Sequence, residues 1–511
     1  MKRKSLFPWL GATASALVPF ASAQAQQKNI DERPNVIIIM ADDIGYGDLS
    51  CNGEPTIHTP NVERVANQGV RFTDAHSVAA TSTPSRYSML TGLYSWRRND
   101  TGIARGDAGM IIRPEQYTIA DMFRDNGYYT GAIGKWHLGL GDKTGEQNWN
   151  EKITPNPDDI GFSYSYLMAA TADRTPCVYV ENGKVVNLDP DDPIYVSYEK
   201  NFEGEPTGRT HPELLTKMVP SHGHDQSIIN GISRIGFMKG GKSALWTDEF
   251  IADSITTHAV QFIDQHKEHP FFLYLGTNDI HVPRVPHPQF VGKSGMGPRG
   301  DAVLEFDWTV GKVMDALDKY GLTENTIVIV TSDNGPVVDD GYQDRAVELL
   351  GDHRPWGPFR GGKYSIFEGG TRVPLVFSWP KHTKKKVSKA LVSQIDFFRS
   401  FAELIGTDIP QGGATDSQNH LNAFLGKSKK GRDYIVEQGW SLGVSDGTWK
   451  YIEPSNAGKF DRYTNTELGN DSKPQLYKLG KDINEQKNLA DKYPNKVKEL
   501  ADILQKERDK N

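Results

Sequence analysis

Four times in this chain an apolar, β-branched run stops abruptly at polar, mostly charged residues. In NVIIIMADDIGYGD the run from Val36 to Met40 gives way to Asp42 and Asp43. TGAIGKWHLG ends in Lys135 and His137, FFLYLGTNDIHVP in Asn278, Asp279 and His281, and TIVIVTSDNGP in Asp333 and Asn334. Runs that are apolar at successive positions read as strands buried on both faces. They alternate with helical stretches, TIADMFRDNGY and DAVLEFDWTVGKVMDALDKYG, so the pattern predicts an α/β fold with helices on both sides of a sheet. Ligands in such folds bind outside the carboxyl ends of the strands. All four polar clusters fall there, which predicts one shared site.

Taken singly, each cluster has a plain structural explanation. An Asp after a strand caps a helix or makes a turn. Asp333-Asn334-Gly335 alone reads as a turn, and a lone His137 or His281 as structural. Repetition is what points to chemistry: oxygen ligands at two strand ends, Lys and His at two others.

Composition excludes some partners. Across 511 residues the net charge is -7 and 37% are hydrophobic, with no basic excess that would favour nucleic acid. The basic stretch KHTKKK, Lys381 to Lys386, reads as a solvated loop. Residues 1–25 read as a cleaved signal peptide: a basic start at Lys2, Arg3 and Lys4, a short apolar stretch, then Ala21, Ala23 and Ala25. No later run is long enough to span a membrane. SAQAQ lacks a lipoprotein cysteine, so the expected location is periplasmic or secreted. Cys51 and Cys177 are the two cysteines, and their spacing does not demand a pair. No cysteine pattern suits zinc.

Asp42, Asp43, Asp333 and Asn334 offer hard oxygen ligands, a set for Ca²⁺ or Mg²⁺. Arg86, Lys135 and Lys363 add fixed positive charge, and His137 and His281 add proton-transfer groups. Such a set binds a tetrahedral oxyanion, phosphate or sulfate, and stabilises charge during its transfer. A nucleophile is then needed. Ser82 in TSTPSRYSMLTG is the candidate, placed just before a helix that the sequence starts with Thr83 as cap and Pro84 as first residue.

With these residues in view, the chain resembles the type I sulfatases of the alkaline-phosphatase superfamily. STPSRYSMLTG matches that family's signature, Cys or Ser-x-Pro-Ser-Arg followed by Leu-Thr-Gly, and GKWHLG its second signature. ADDIGYGD, TSDNGP and GGKYSIFEGGTRVP match further blocks in the same order, from about Pro34 nearly to the C-terminus. The resemblance implies a large mixed sheet sandwiched by helices, with a smaller C-terminal antiparallel sheet and helix. It implies that Ser82, standing where many members have cysteine, is oxidised to formylglycine (3-oxoalanine) by a serine-type radical maturation enzyme. The hydrate of that aldehyde attacks sulfur through one hydroxyl and expels sulfate through the other. The resemblance also implies Ca²⁺ on Asp42, Asp43, Asp333, Asn334 and modified Ser82. Arg86 and Lys135 would position the formylglycine, Lys363 hold the sulfate, His137 assist hydrate chemistry and His281 protonate the leaving oxygen.

The domain reading is residues 26–426 for the catalytic α/β unit and 427–511 for the small sheet with the amphipathic helix YPNKVKELADILQKERD. A polar, loop-like insert at about 148–244 is expected to shape a sugar pocket. Within it Asp173 and Arg174 can hold neighbouring sugar hydroxyls or form a surface ion pair, and VPSHGHDQS adds His222 and His224. His353, Arg354 and Trp356 precede Lys363, and the tryptophan can stack on a sugar or simply pack. GPRGDAVLEFDWTVG and the FRGGKYSIFEGGTRVP block resemble the galactosamine-6-sulfatase and arylsulfatase A branch. The expected substrate is a sulfated glycan, desulfated at O6 of N-acetylgalactosamine or galactose at a chain end, as in chondroitin sulfate fragments. Alternatives are a 3-O- or 4-O-sulfated galactose or galactosamine, a phosphodiester or phosphonate substrate, and an inactive fold that only binds glycan.

Overall fold

In the computed structural model, residues 33–53 and 56–510 are described, so the signal-peptide reading lies outside the described residues. The four apolar runs are strands β1 (Asn35–Ala41), β3 (Tyr129–Lys135), β7 (Phe271–Gly276) and β8 (Thr326–Ser332). The other strands of the main sheet are β2 (Gly69–Phe72), β4 (Tyr164–Met168), β5 (Tyr179–Glu181), β6 (Lys184–Val185), β9 (Leu375–Ser378) and β10 (Lys386–Ser388). They form one ten-stranded sheet in the order β10-β2-β9-β8-β1-β7-β3-β4-β5-β6. Strands β8, β1, β7, β3 and β4 run parallel through its centre. Antiparallel strands flank them on both sides, which makes the sheet mixed.

Register decides what the sheet can do. Met40 lies opposite Gly276 and Thr331, and Gly276 opposite Gly134, so the four apolar strands end level. Their polar residues therefore emerge side by side. Gly134 holds φ +95, and a Cβ there would sit 1.9 Å from the Gly276 carbonyl oxygen. Only glycine permits that approach.

Both faces of the sheet are covered, as the unbroken apolar runs require. Neighbouring residues on a strand point to opposite faces. Phe271 meets Phe262 of the helix Ile251–His266, with ring centroids 5.8 Å apart. Phe272 meets Phe123 of the helix Ile119–Asp125 at 4.5 Å. Val36 to Met40 are wholly buried between these layers. Burying one such side chain is worth about 1.5–3 kcal/mol.

The helix that carries Ser82 differs from the expectation. It spans Ser82–Thr91 with Thr81 as N-cap, so Ser82 sits in the first turn rather than before it, and Pro84 is the third residue. Thr83 is not the cap: its hydroxyl donates to the His137 carbonyl and accepts from the Ala104 amide, tying the helix to the end of β3.

The segment 148–244 also departs from the loop-like expectation. Its first part supplies β4, β5 and β6 to the main sheet. Only Leu167 and Met168 in β4 look like core, and the Tyr-Ser-Tyr before them hides the strand in the sequence. Cys51 and Cys177 are both free thiols. No helix among the described residues is long and apolar enough to cross a membrane.

Strands β11 (Ile435–Gln438), β12 (Leu442–Ser445), β13 (Trp449–Ile452) and β14 (Gln475–Lys478) form a separate antiparallel sheet, joined by the helix Pro494–Asp509. Val436, Val444, Leu476, Leu500 and Leu504 share its core. This unit grips the segment that leads into Ser82: the Gln438 carbonyl accepts from the Ala80 amide at 2.9 Å, and the Gln438 amide donates to the Val78 carbonyl at 2.9 Å. Beneath this contact His76 pairs with Glu437 at 2.7 Å and Asp74 at 2.8 Å, and Lys450 bridges Glu437 and Glu368 at 2.8 and 2.9 Å.

Candidate active site

The floor of the site is a lattice of buried charges at the level strand ends. Asp42, Asp43, Arg86, Lys135, Asp333 and Asn334 are fully buried. Charges taken this far from water persist only when paired. Lys135 Nζ lies 2.6 Å from Asp42 Oδ2 and donates to Ser82 Oγ at 2.7 Å. The Ser82 hydroxyl in turn donates to Asp333 Oδ2 at 2.6 Å. Arg86 holds the same Asp333 oxygen through Nε at 3.1 Å and Nη2 at 2.9 Å, and its Nη1 donates to the Tyr274 hydroxyl at 2.7 Å. Lys363 Nζ reaches Asp43 Oδ2 at 2.8 Å and Asp340 Oδ2 at 3.2 Å. Asn334 Nδ2 donates to Asp43 Oδ1 at 2.7 Å.

Electrostatics mark where a cation fits. Burial pushes Asp42 well above the usual carboxylate range; Lys135 opposes the rise, while the crowding of Asp333 and Asp43 adds to it. Burial would raise Asp333 too, but Arg86 and Lys135 outweigh it and hold that carboxyl far down. Asn334 Oδ1 is buried without a hydrogen-bond partner. Ligand atoms of Asp42, Asp43 and His281 lie within 4.8 Å of one another. Crowded hard oxygens and one orphaned amide oxygen suit a cation such as Ca²⁺ or Mg²⁺. The grouping of His281 with the two aspartates goes beyond the sequence reading; its Nε2 is 3.8 Å from Asp43.

Above the floor is a cavity of about 340 Å³. Ser82, His137, Asp173, Arg174, His222, His224, His281 and Lys363 all line it, whereas the aspartates of the floor, Asn334, Arg86 and Lys135 lie beneath. His137 holds φ +57, its Nε2 meets the Ala104 carbonyl at 2.9 Å, and its Nδ1 is buried without a partner. Burial, then Lys135, drive its pKa well below the ordinary histidine value. His281 Nδ1 contacts the Val282 carbonyl at 2.8 Å, and burial and Lys363 lower it to about 4. Lys363 stays cationic: burial opposes its charge, but Asp340 and Asp43 outweigh that.

One wall belongs to Asp173 and Arg174. They are not a surface pair: Asp173 is buried, and Arg174 Nη1 meets its Oδ1 at 2.9 Å inside the cavity. The side-chain hydrogen bonds of Arg174 all run through Nη1, to Asp173 and Thr171. Among the described residues its other guanidinium nitrogens make no hydrogen bond. His224 Nε2 joins Asp173 Oδ2 at 3.0 Å, and the His224 ring rests 4.7 Å from that of Tyr342.

His353 Nε2 lies 2.8 Å from Asp48, which Arg299 also holds, and neither His353 nor Trp356 is among the residues that line the cavity. The cavity also takes Ile103, Asp340, Tyr364, Asp461, Tyr463 and Thr464, which the sequence reading missed. Asp340 carried a weak signal in VVDD, close behind Asn334, and Tyr364 another as the neighbour of Lys363. Residues 461–464 gave none.

A mixed sheet with helices on both faces, carrying a buried carboxylate-lysine-arginine floor under a serine at a helix start, defines an oxyanion-transfer hydrolase of the alkaline-phosphatase type. The comparisons with known proteins narrow this. The chain belongs to the sulfatase family, whose profile matches residues 34–407. It is therefore a sulfuric ester hydrolase by family, and that family uses a formylglycine and a metal ion. The chain is 54% identical over 494 residues to an N-acetylgalactosamine-6-O-sulfatase of Bacteroides thetaiotaomicron, covering 96% of each chain. It is 28% identical to human arylsulfatase A, covering 94% of this chain and 87% of that one. A solved structure from work on the metabolism of multiple glycosaminoglycans by Bacteroides thetaiotaomicron superposes with a TM-score of 0.92 at 54% identity, covering 93% of this chain and 99% of the other.

Proposed function

We propose that this sulfatase removes the 6-O-sulfate from a terminal N-acetylgalactosamine, or galactose, of a glycosaminoglycan fragment such as chondroitin sulfate. The observation that carries the reading is the position of Ser82 Oγ, held between Lys135 at 2.7 Å and Asp333 at 2.6 Å under a cavity walled by Asp173 and Arg174. The N-acetylgalactosamine-6-O-sulfatase relative supports the choice of sugar.

Asp42, Asp43, Asp333 and Asn334, with residue 82, would hold one Ca²⁺, which supplies positive charge against the sulfate oxygens. A serine-type radical maturation enzyme would oxidise residue 82 to the aldehyde, which adds water and would then supply two hydroxyls on one carbon. Lys135 orients the attacking oxygen, and Arg86 fixes Asp333 so that this carboxylate cannot turn away. Lys363, cationic at the cavity edge, takes the sulfate. His281 Nε2 faces the cavity as proton donor to the sugar oxygen. The incoming sulfate anion raises its depressed pKa, as a nearby negative charge does. His137, which lines the same cavity, would take a proton from residue 82. Arg174, Asp173 and His224, with His222 at the edge, read the sugar hydroxyls. Residues 1–25 act as the export signal to the periplasm or medium, 26–426 as the catalytic unit and 427–511 as its small companion.

Enzyme produced with a serine-type maturase tests this. Peptide mass at Ser82 reports oxidation, and sulfate release from 6-sulfo-N-acetylgalactosamine is compared with hydrolysis of a phosphodiester. Oxidised Ser82 with preferential sulfate release is the expected result. Preferential phosphodiester cleavage sinks the sulfate-ester reading, and unmodified Ser82 with binding but no turnover sinks catalysis.

A further inference from the structure

The basic stretch KHTKKK, which leads from β9 into β10, does not stand alone. A second lysine-rich segment, GKSKKGR at 426–432, runs beside it. Lys386 Nζ donates to the Gly426 carbonyl, and the Arg432 amide donates to the Leu391 carbonyl at 2.8 Å, so the two segments lie side by side. Lys427 and Lys381 both come near His382: burial, then these two charges, lower its pKa. Residues 379–391 and 424–432 together hold eight lysines and no acidic residue, in a chain whose net charge is -7.

All eight are exposed. Of these, among the described residues, only Lys430 makes an ion pair, with Asp433 at 3.2 Å. The C-terminal helix is the opposite case: Lys496 pairs with Asp446 and Glu499, and Lys498 with Asp502. A lysine on an edge strand such as β10 blunts pairing with another chain. That accounts for Lys386, but the other seven lie outside β10. The strip is also remote from the cavity. β10 runs in the same direction as β2, β8 and β1, so Lys381 to Lys385 precede it at the end of the sheet opposite the site. Four strand spacings separate β10 from β1, roughly 19 Å at about 4.8 Å each.

We propose that this strip is an electrostatic anchor for sulfated glycosaminoglycan chains, separate from the cavity, which holds the enzyme close to its polymer between turnovers. Like charges set along two neighbouring segments fit a linear polyanion, whose repeated anionic groups take the place of the missing acidic partners. The strip exposes one large apolar side chain, Val387, too little to enter a bilayer, which favours a glycan chain over a lipid surface. The proposal rests on the reading that the substrate comes from a sulfated glycosaminoglycan.

Binding of the matured full chain to immobilised chondroitin 6-sulfate tests it, beside kcat/KM on the monosaccharide 6-sulfo-N-acetylgalactosamine. The native enzyme should bind the polymer and lose it as NaCl rises from about 0.05 to about 0.5 M. The triple variant Lys384→Glu, Lys385→Glu, Lys427→Glu should bind about 10- to 100-fold more weakly at low salt, with the monosaccharide kcat/KM unchanged. Equal polymer binding by native enzyme and variant overturns the anchor. So does native enzyme that ignores the polymer but binds vesicles of phosphatidylcholine with about 30% phosphatidylglycerol. Polymer binding that the triple variant loses, with no sulfate released from the monosaccharide by either protein, upholds the anchor and sinks the 6-O-sulfate reading instead.

Discussion

The floor and the rim of this site are built in opposite ways. The floor comes from level strand ends, is wholly buried, and has each charge matched by another: Asp42 with Lys135, Asp333 with Arg86, Asp43 with Lys363. The rim comes from segments far apart in sequence, among them those of Ile103, His222 and Tyr463, and Ile103 and Tyr463 are each 45% exposed. A floor of matched buried charges tolerates almost no change, because removing one partner strands the other at a cost of about 3–5 kcal/mol. Its exposed side chains, Ile103 and Tyr463, can vary at little cost in stability. On the proposed function, the floor would fix the reaction and the rim would choose the sugar.

Four substitutions separate these roles. Ser82→Ala removes the nucleophile and should lower kcat by about 10⁴-fold or more for every sulfate ester, whatever the sugar. A variant that kept its activity would break the assignment of the floor. His281→Ala should lower kcat by about 10²–10⁴-fold on sugar sulfates. An aryl sulfate, whose leaving oxygen needs no proton, should lose far less. Equal losses on both would remove His281 from proton transfer.

Arg174→Ala acts on the rim side. It should reduce kcat/KM for the sugar substrate by about 10- to 100-fold, the worth of a charge-assisted hydrogen bond in a buried site. The metal content, measured by elemental analysis, should not change. Loss of metal together with activity would mean that floor and wall are not separable.

The smallest effect concerns what holds the floor in place. Burial would lower His76, but the Glu437 charge and the bonds to Asp74 and Glu437 raise it to about 9. Its stabilising charge is therefore fully present below about pH 6.5 and is lost as pH rises through about 9. Burial raises Glu485 to about 8, which titrates in the same sense. Thermal unfolding should show Tm falling across this window. His76→Gln should start lower by about 1–3 kcal/mol and fall less steeply. An unchanged slope would free His76 from this role.

The two regions also differed in how far the sequence disclosed them. The floor was legible because Asp42 and Asp333 directly follow apolar runs and Lys135 ends one, so the three could be placed at one end of the sheet from local pattern alone. The parallel centre of the fold was legible for the same reason. Ser82 was singled out, but its helix start was misplaced, since the Thr83 hydroxyl bonds the His137 carbonyl and the Ala104 amide instead of capping. The strands at 164–185 were hidden by polar alternation at the sheet's margin. Half of the rim was readable in Asp173, Arg174, His222 and His224. The rest was not, because Asp461, Tyr463 and Thr464 reach the cavity through a turn that carries no periodic signal, from a unit whose own pattern speaks only of packing.

The most direct test of this division is the ratio of kcat/KM for 6-sulfo-N-acetylgalactosamine to that for 6-sulfo-N-acetylglucosamine, which differ only in the hydroxyl at carbon four, measured in the matured native enzyme and in Arg174→Ala. The account predicts a strong preference for the galactosamine in the native enzyme and its collapse in the variant, with residual turnover of both sugars through an intact floor. Equal rates in the native enzyme, or a preference untouched by Arg174→Ala, would contradict it.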